Sequence, residues 1–196
     1  MRTKGPLEIL ETNVEVYPFT DDYYKIFGEP DIRFSTIIRG EAKSGKSTYA
    51  AKFAQYVSQF GKVLYVSAEE RLNSKTLQNR LRYCKVESPK VRFIHEKHID
   101  KIEAKIRTGG FRFVIIDSVQ HVQMTYDEFE AMRHAFKRRK ISWHLIMQMG
   151  VNITKWKHEV DVLVEVKNGW AQVHGRYNAA SRIRVLENQS SQTSLF

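Results

Sequence analysis

Nine consecutive residues starting at position 40 contain a phosphate-binding loop, G-x-x-x-x-G-K-[ST], whose eight positions are the first eight of them. In order they are Gly40, Glu41, Ala42, Lys43, Ser44, Gly45, Lys46, Ser47 and Thr48. Glycines let the backbone curl so that its N–H groups point at phosphate oxygens, and a following helix adds its positive end. Lys46 is expected to reach the β and γ phosphates, and the Ser47 hydroxyl is expected to ligate Mg²⁺. The motif predicts a nucleotide as ligand.

The residues on both sides of this motif favour a phosphate loop over a Gly/Ser/Lys-rich surface turn that fits by chance. Residues 34–39 have the pattern of a β-strand. After the loop, Ala50, Phe53, Ala54 and Val57 recur at the spacing of one helix face. A strand, a glycine-rich loop and a helix in this order are the context that phosphate binding requires.

A second group for the metal is predicted at Asp117, the last residue of the apolar run 113–117. Such a run is expected for a central strand buried on both faces, and its carboxylate is placed to accept from a water bound to Mg²⁺. Ser118 is a candidate to assist. The run alone is common in buried strands, and its functional meaning comes from the phosphate loop upstream.

Hydrolysis needs a group that polarises the attacking water, and two adjacent acids are candidates. Glu69 and Glu70 follow the predicted strand 62–67, and the carboxyl ends of strands in open α/β sheets face the ligand crevice. The alternative is that these acids form only the first turn of a helix, where the helix dipole favours them. The sequence leaves open which acid acts and whether one of them is only structural.

Gln148 ends the predicted strand 143–148, where a neutral amide is a candidate sensor of the γ-phosphate. The alternative is an ordinary capping or surface amide. The loop after it contains Lys155, Trp156 and Lys157, a mixture suited to phosphates and stacked bases, so these three are candidates for contact with DNA. The sequence gives equal support to packing of Trp156 on the core.

Composition restricts the class of protein. The chain has 196 residues, 42% of them hydrophobic, which suits one globular domain. A single cysteine, no apolar leader at the amino terminus and no stretch of membrane-spanning length lead us to expect a cytoplasmic protein with no membrane partner. The formal charge of +10 favours nucleic acid as a partner over the alternative that the cations only keep the chain soluble.

The candidate residues have to be positioned by the elements between them. Strand and helix patterns alternate, which predicts an α/β fold with a mostly parallel sheet and helices on both faces. Asn168-Gly169 predicts an antiparallel hairpin extension near the carboxyl end. Strands are predicted over 34–39, 62–67, 91–94, 113–117, 143–148, 161–166, 170–176 and 182–186, and helices over 72–83, 99–110 and 126–140. We expect one domain at 30–186, preceded by an arm at 1–29 and followed by a flexible tail at 187–196.

The order of these segments resembles the RecA-like ATPases, and most closely the RadA branch of that superfamily. The resemblance rests on residues 40–48, 63–70, 114–120 and 158–163, and it extends over roughly 30–186. It implies a RecA-like P-loop NTPase core that binds ATP and Mg²⁺, with Glu69 activating water and Gln148 sensing the nucleotide. It also implies that the loop near 150–158 occupies the DNA-contacting position of the family.

The segment Gly175-Arg176-Tyr177-Asn178 resembles the Lys-Asn-Arg-Phe-Gly segment of RadA and the arginine-finger segment of hexameric helicases. The resemblance implies that Arg176 reaches the γ-phosphate of a neighbouring subunit, so that hydrolysis depends on a homo-oligomer. His174 stands where that family has lysine, the loop after Gln148 is short, and this sequence contains neither a zinc finger nor a protease-like domain. The resemblance therefore implies an ATPase core with an effector role of its own.

The last five residues carry a further resemblance. They are similar to the Gln-x-[Ser/Asp]-Leu-Phe peptide by which bacterial proteins dock on the replication sliding clamp. Leu195 and Phe196 would fill an apolar pocket, and Gln192 would hydrogen-bond at its rim. The alternative is a coincidence of five residues in a disordered tail, although polar residues before them suit a tether.

Three hypotheses follow from the sequence. The first is a RecA-like ATPase that hydrolyses ATP with Mg²⁺ and acts on DNA in replication, repair or recombination as an oligomer. The second is a nucleotide-gated adaptor that hydrolyses little ATP and bridges the sliding clamp to another protein. The third, a small-molecule kinase, shares the phosphate loop but fits Glu69 and Arg176 less well.

Overall fold

The computed structural model describes residues 3–177 and 182–186, which contain one eight-stranded sheet flanked by helices. The strands are β1 (Ser35–Gly40), β2 (Val63–Ser67), β3 (Val91–Ile94), β4 (Phe113–Asp117), β5 (Ser142–Gln148), β6 (Val162–Lys167), β7 (Trp170–Gly175) and β8 (Arg182–Arg184). The helices are α1 (Pro6–Leu10), α2 (Asp21–Phe27), α3 (Lys46–Val57), α4 (Lys75–Tyr83), α5 (Ile99–Gly109), α6 (Val119–Val122), α7 (Tyr126–Ala135) and α8 (Thr154–Glu159). No helix in the described part of the chain is long and apolar enough to cross a bilayer.

The sheet is parallel over most of its width. Its strand order is β3-β2-β4-β5-β1-β6-β7-β8, with parallel pairs from β3 through β6 and antiparallel pairs from β6 to β8. Parallel strands end at the same edge, so the loops after β1, β2, β4 and β5 meet there. The predicted α/β architecture with an antiparallel carboxyl-terminal extension is confirmed.

Alternate residues of the central strands pack on opposite faces of the sheet. Ile38 belongs to a cluster that includes Phe53 of α3, whereas its neighbour Ile37 belongs to a cluster that includes Ile102 of α5 and Phe129 of α7. Because both faces of the central strands are covered, these strands are continuous apolar runs in the sequence.

The amino-terminal residues contribute to this core. Tyr17, Phe19, Ile26 and Phe27 are each no more than 4% exposed, and they pack in the same cluster as Phe34. The predicted boundary at residue 30 therefore does not coincide with an edge of the core. The continuously exposed arm is shorter, since the described residues up to 16 are all exposed and Tyr17 is the first buried one.

Two helices are shorter than the apolar pattern predicts. Helix α4 begins at Lys75, because the Ser74 side chain accepts a 3.0 Å hydrogen bond from the Leu77 backbone N–H and so caps the first turn. Helix α7 ends at Ala135. The residues after it turn away from the helix, and the Arg139 guanidinium donates to the Ile106 carbonyl of α5.

Candidate nucleotide site

The phosphate loop lies at the carboxyl edge of the sheet, between the end of β1 and the start of α3. Gly40 ends β1 beside Gln148 of β5, and the helix begins at Lys46. Gly45 has φ of +102°, a conformation that favours glycine. A Cβ on Gly40 would lie 2.3 Å from the Val166 carbonyl oxygen, so this position also excludes a side chain. The structure thus explains why both fixed positions of the motif are glycine.

Lys46 folds across its own loop. Its Nζ donates to the carbonyl oxygens of Gly40 at 3.0 Å and Glu41 at 2.6 Å. Burial lowers the pKa of Lys46, and the opposing charges of Asp117 and Glu69 act in the other direction. Phosphate oxygens can replace carbonyl oxygens as hydrogen-bond acceptors. The Lys46 amine is therefore placed to leave these two carbonyls and bind a nucleotide phosphate.

The polar groups of the loop fit a bound phosphate chain. The Ser44 hydroxyl is buried and has no hydrogen-bond partner in the described structure, an arrangement that is costly unless a ligand completes it. The bare Gly40 backbone leaves room beside this hydroxyl, because a Cβ there would lie 2.5 Å from its oxygen. Backbone N–H groups, a lysine and a buried hydroxyl together form a donor set suited to nucleotide phosphates.

The two predicted metal ligands are in contact beneath this loop. Asp117 is 6% exposed and accepts hydrogen bonds from Ser47 and, at 2.7 Å, from the Tyr65 hydroxyl. Burial raises the pKa of Asp117, and these two hydrogen bonds oppose that rise. No group of three or more His, Cys, Asp or Glu side chains among the described residues could hold a metal. Ser47 and Asp117 fit Mg²⁺, which is commonly held by few protein groups together with water and phosphate.

The two adjacent acids after β2 have different surroundings. Glu70 accepts from Arg80 at 2.6 Å and from the Ser74 hydroxyl at 2.8 Å, and both members of the Glu70–Arg80 pair are at most 20% exposed. Glu69 is 57% exposed, and its negative charge acts to raise the pKa of both Lys46 and Asp117. The structure therefore assigns Glu70 to a local network and leaves Glu69 facing the loop side.

A histidine that the sequence analysis did not single out lies beside Glu69. His121 of α6 has its Nδ1 2.7 Å from the Ser118 hydroxyl and 3.7 Å from Oε2 of Glu69. Ser118, predicted as an assistant of Asp117, thus contacts His121. No spacing rule in the sequence points to His121, because its proximity to Glu69 depends on the pairing of β2 with β4.

Gln148 ends β5 directly beside Gly40, as the sensor prediction requires. Its side chain is exposed, and its backbone N–H donates to Oε1 of Gln120 at 3.2 Å. The next residue is also tied to the loop, because the Met149 N–H donates to the Gly40 carbonyl at 3.2 Å. Gln148 is therefore in the right place, and its role as a sensor stays a prediction.

Comparisons with known proteins agree with this geometry at the level of fold. No protein-family model and no curated protein matches the chain. Among solved structures, the chain is similar to the crystal structure of flagellar accessory protein FlaH from Methanocaldococcus jannaschii, with a TM-score of 0.64 and 16% identity over 88% of this chain and 95% of that chain. The fold is RecA-like. At this identity the likeness shows the fold alone and does not extend to the RadA branch.

Within this RecA-like fold, Arg176 lies away from its own phosphate loop. It follows β7, whose last residue Gly175 pairs with Val162 at the amino end of β6, so Arg176 is at the opposite edge of the sheet from Gly40. The Arg176 side chain is 70% exposed, with Nη1 3.4 Å from Oδ1 of Asp161. A contribution of Arg176 to hydrolysis would therefore have to be made at another subunit.

The DNA-contact candidates are only partly where the sequence placed them. Residues 154–159 form α8 instead of a loop, and Trp156 is 7% exposed. Its ring stacks on Phe129, with ring centroids 5.4 Å apart, and meets Tyr126 edge-on at 5.6 Å. Of the two alternatives for Trp156, the structure shows packing on the core, because these aromatic residues of α7 bury its ring. Lys155 and Lys157 remain exposed.

Another tryptophan has the exposure that Trp156 lacks. Trp170, at the start of β7, is partly exposed, and the guanidinium carbons of Arg182 and Arg184 lie 4.7 Å and 5.3 Å from its ring centroid. The hairpin pattern identified Trp170 only as a strand residue. The cluster forms because β8 pairs with β7, which places Arg184 opposite Trp170.

The last described residues return to the phosphate loop. A Cβ on Gly45 would lie 3.4 Å from Leu186, and Lys52 of α3 donates to the Val185 carbonyl at 2.8 Å. The clamp-peptide candidates Gln192, Leu195 and Phe196 lie outside the described residues. Their role stays a prediction from sequence.

Proposed function

We propose that this chain is an ATPase that binds ATP with Mg²⁺ at the phosphate loop and uses Glu69 to activate the attacking water. The observation that carries the proposal is the division between the two acids. Glu70 is held by Arg80 and Ser74, whereas Glu69 is 57% exposed, approaches His121 at 3.7 Å and lies near Lys46 and Asp117.

Each residue then has one task. Bound ATP and Mg²⁺ would supply the phosphoanhydride bond and neutralise charge as it is cleaved. Lys46 would exchange its loop carbonyls for phosphate oxygens, and Ser47 with Asp117 would hold the metal. Glu69 would accept the proton of the attacking water, with His121 positioned 3.7 Å from its carboxylate.

The test compares two neighbouring substitutions. Glu69→Gln should lower Mg²⁺-dependent phosphate release by at least about a hundredfold while binding of a fluorescent ATP analogue persists. Glu70→Gln is the matched control, and we expect it to lower the melting temperature and keep most of the turnover. Equal turnover of Glu69→Gln and the unsubstituted chain would refute the role of Glu69. Absence of Mg²⁺-dependent hydrolysis, with and without DNA, would refute the ATPase proposal itself.

We further propose that the chain acts on DNA as an oligomer in replication, repair or recombination, as its resemblance to the RadA branch implies. The formal charge of +10 and the exposed Lys155 and Lys157 support a polyanionic partner. Arg182 and Arg184, whose guanidinium groups lie over the partly exposed Trp170 ring, add two further cations for such a partner.

Binding to single- and double-stranded DNA over a series of salt concentrations tests this part, with and without a non-hydrolysable ATP analogue. The double substitution Lys155→Glu/Lys157→Glu should weaken binding and flatten its salt dependence. The matched control is Lys85→Glu/Lys97→Glu, which reverses two exposed cations elsewhere. Identical affinities for all three proteins would contradict the assignment of α8.

A second candidate function is a nucleotide-gated adaptor, favoured by the sequence of residues 192–196. Such an adaptor would hold the sliding clamp through its tail and would need little hydrolysis. The test measures affinity for the clamp, with and without ATP, before and after deletion of 192–196. Substitution of Ser190 and Ser191 by alanine is the control. Unchanged affinity after the deletion would remove this candidate.

A further inference from the structure

A groove of about 570 Å³ lies far from the nucleotide site, between the edge strand β3 and the carboxyl-terminal end of α5. Its lining includes Lys62, Lys90 and Phe111, which stand just before the parallel strands β2, β3 and β4. The groove is therefore at the amino edge of the sheet, whereas the phosphate loop is at the carboxyl edge. None of the residues assigned to ATP contributes to it.

The rim of the groove is strongly basic. Lys62, Lys90, Arg92 and Lys105 line it and are all exposed, and no Asp or Glu is among the described residues that line it. Within the described part of the chain, none of the four forms a salt bridge, although cations nearby on α5 do, such as Arg107 with Glu103. Four uncompensated charges around one groove attract an anionic ligand.

The floor of the groove is apolar. Ile94 is half-buried there, and Phe111 is 5% exposed. Phe111 lies directly against the backbone of Gly109, where a Cβ would meet its Cε2 at 1.9 Å. Phe93, the other ring of the lining, is half-buried and already stacks on Tyr65, with ring centroids 4.8 Å apart. Rings that are buried or already stacked offer little surface to a base, so the floor suits an apolar side chain better than a nucleobase.

Strand β3 adds a third feature, an open backbone edge. It pairs with β2 on one side and has no strand neighbour on the other among the described residues. Unpaired edges invite a further strand, and cations on the edge keep two identical edges apart. Lys90 and Arg92 would thus repel β3 of a second copy and would attract a strand that carries acids.

We propose that this groove binds an extended acidic peptide segment of a partner protein, with one apolar side chain of the peptide seated on the floor. The peptide backbone would extend the sheet beside β3. Its carboxylates would pair with the four cations of the rim. This interaction surface is independent of the proposed ATPase activity.

Fluorescence anisotropy with a defined set of labelled decapeptides tests the proposal. The probes alternate Asp or Glu with Thr and carry one central Phe, Leu or Ile. At least one should bind the full chain with a dissociation constant below about 100 μM, weakening as salt is raised. Replacing its central residue by Ser should weaken binding roughly tenfold. Failure of every probe to bind, or binding insensitive to the central residue, would overturn the proposal.

Charge reversal locates the binding. Arg92→Glu/Lys105→Glu should weaken the best peptide at least about tenfold, and Lys75→Glu/Lys167→Glu, which changes the same charge at the carboxyl edge, should not. Circular dichroism melts check that both variants are folded.

Two further probes are decathymidylate and the chain's own residues 187–196 as a peptide with a single acid. Tighter binding of decathymidylate at the groove would make it a nucleic-acid site, and equal binding of the 187–196 peptide would show that acids are irrelevant; each result would refute the proposal.

Discussion

The Tyr65 hydroxyl donates a 2.7 Å hydrogen bond to Oδ2 of Asp117 across the adjacent strands β2 and β4. Both side chains are buried. Burial raises the pKa of Asp117, and the hydrogen bonds from Tyr65 and Ser47 oppose that change by favouring the carboxylate. Tyr65 therefore helps to keep Asp117 ionised, the form that the proposed Mg²⁺ site requires.

Replacing Tyr65 by phenylalanine should raise the Mg²⁺ concentration that hydrolysis requires. Without its hydroxyl the pKa of Asp117 rises further, so a smaller fraction of the acid is ionised as the pH falls. We expect the Mg²⁺ concentration for half-maximal phosphate release to increase roughly three- to tenfold, and more at pH 6 than at pH 8. Tyr83→Phe on α4 is the control. A Tyr65→Phe profile that overlays the control at both pH values would contradict this role.

Alanine substitutions at Gly40 and Gly110 separate two effects of an added side chain, a steric clash and an unfavourable backbone conformation. A Cβ on Gly40 would lie 2.3 Å from the Val166 carbonyl oxygen, whereas Gly110 has φ of +64° and no atom within 4 Å of such a Cβ. Gly40→Ala should weaken binding of a fluorescent ATP analogue at least about tenfold, because the loop must move. Gly110→Ala should cost about 1 kcal/mol in urea unfolding and leave nucleotide binding intact. Equal nucleotide affinities for the two variants would show that the loop tolerates the displacement.

A mixing experiment tests whether Arg176 acts on a neighbouring subunit. Arg176→Ala alone should bind nucleotide normally and lose about a thousandfold in hydrolysis, the size expected for an arginine finger. When it is mixed with inactive Glu69→Gln, about a quarter of the interfaces in a head-to-tail ring would pair an intact Glu69 with an intact Arg176. Phosphate release should therefore reappear on mixing. Activity that stays at the level of the separate variants would count against a finger acting in trans.

His144 should make the fold sensitive to acid. It is fully buried beside Phe34 and Phe53, its Nδ1 is 2.9 Å from the Thr36 hydroxyl, and its Nε2 has no partner in the described structure. Burial lowers the pKa of His144 to about 3 in the folded chain. The unfolded chain, with an ordinary histidine pKa near 6.5, then binds more protons between these values, so stability falls as the pH drops below about 6.5.

Urea unfolding at pH 7.5 and pH 5 measures this effect. His144 should account for about 2 kcal/mol of stability lost between the two pH values. His144→Asn keeps a polar group near Thr36 but does not titrate, so its loss over the same interval should be smaller by that amount. His158→Asn, on the exposed end of α8, is the control. An identical pH dependence for His144→Asn and the unsubstituted chain would mean that His144 does not carry the effect.

The sheet is largely predictable from sequence, because its strands are apolar on both faces. The run at 113–117 gives the bounds of β4 without reference to any other part of the chain. The phosphate loop is predictable for a similar reason, since its glycines and its lysine act within nine residues. Local sequence is sufficient wherever the determining contacts are local.

Other features depend on residues that meet only in the folded chain. Glu69 and Glu70 are adjacent acids that the sequence alone does not distinguish. The difference comes from Arg80 on the next helix, α4, which pairs with Glu70. The residues next to Trp156 in the sequence do not show whether its ring is exposed or buried. The ring is buried because it stacks on Phe129 of α7. The amino-terminal aromatic residues likewise have no periodicity that signals their packing against Phe34. Patterns within one segment do not record which neighbour that segment will have.

The contact between Leu186 and Gly45 has a mechanical consequence. Leu186, the last described residue, lies beside Gly45 of the phosphate loop, and its backbone N–H donates to the Gly169 carbonyl between β6 and β7, so a displacement of Leu186 would act on the loop and on the hairpin together. Any partner that captures the carboxyl terminus would thereby pull on the loop. By the reciprocity of linked equilibria, filling of the cradle would alter the grip on that partner by the same factor.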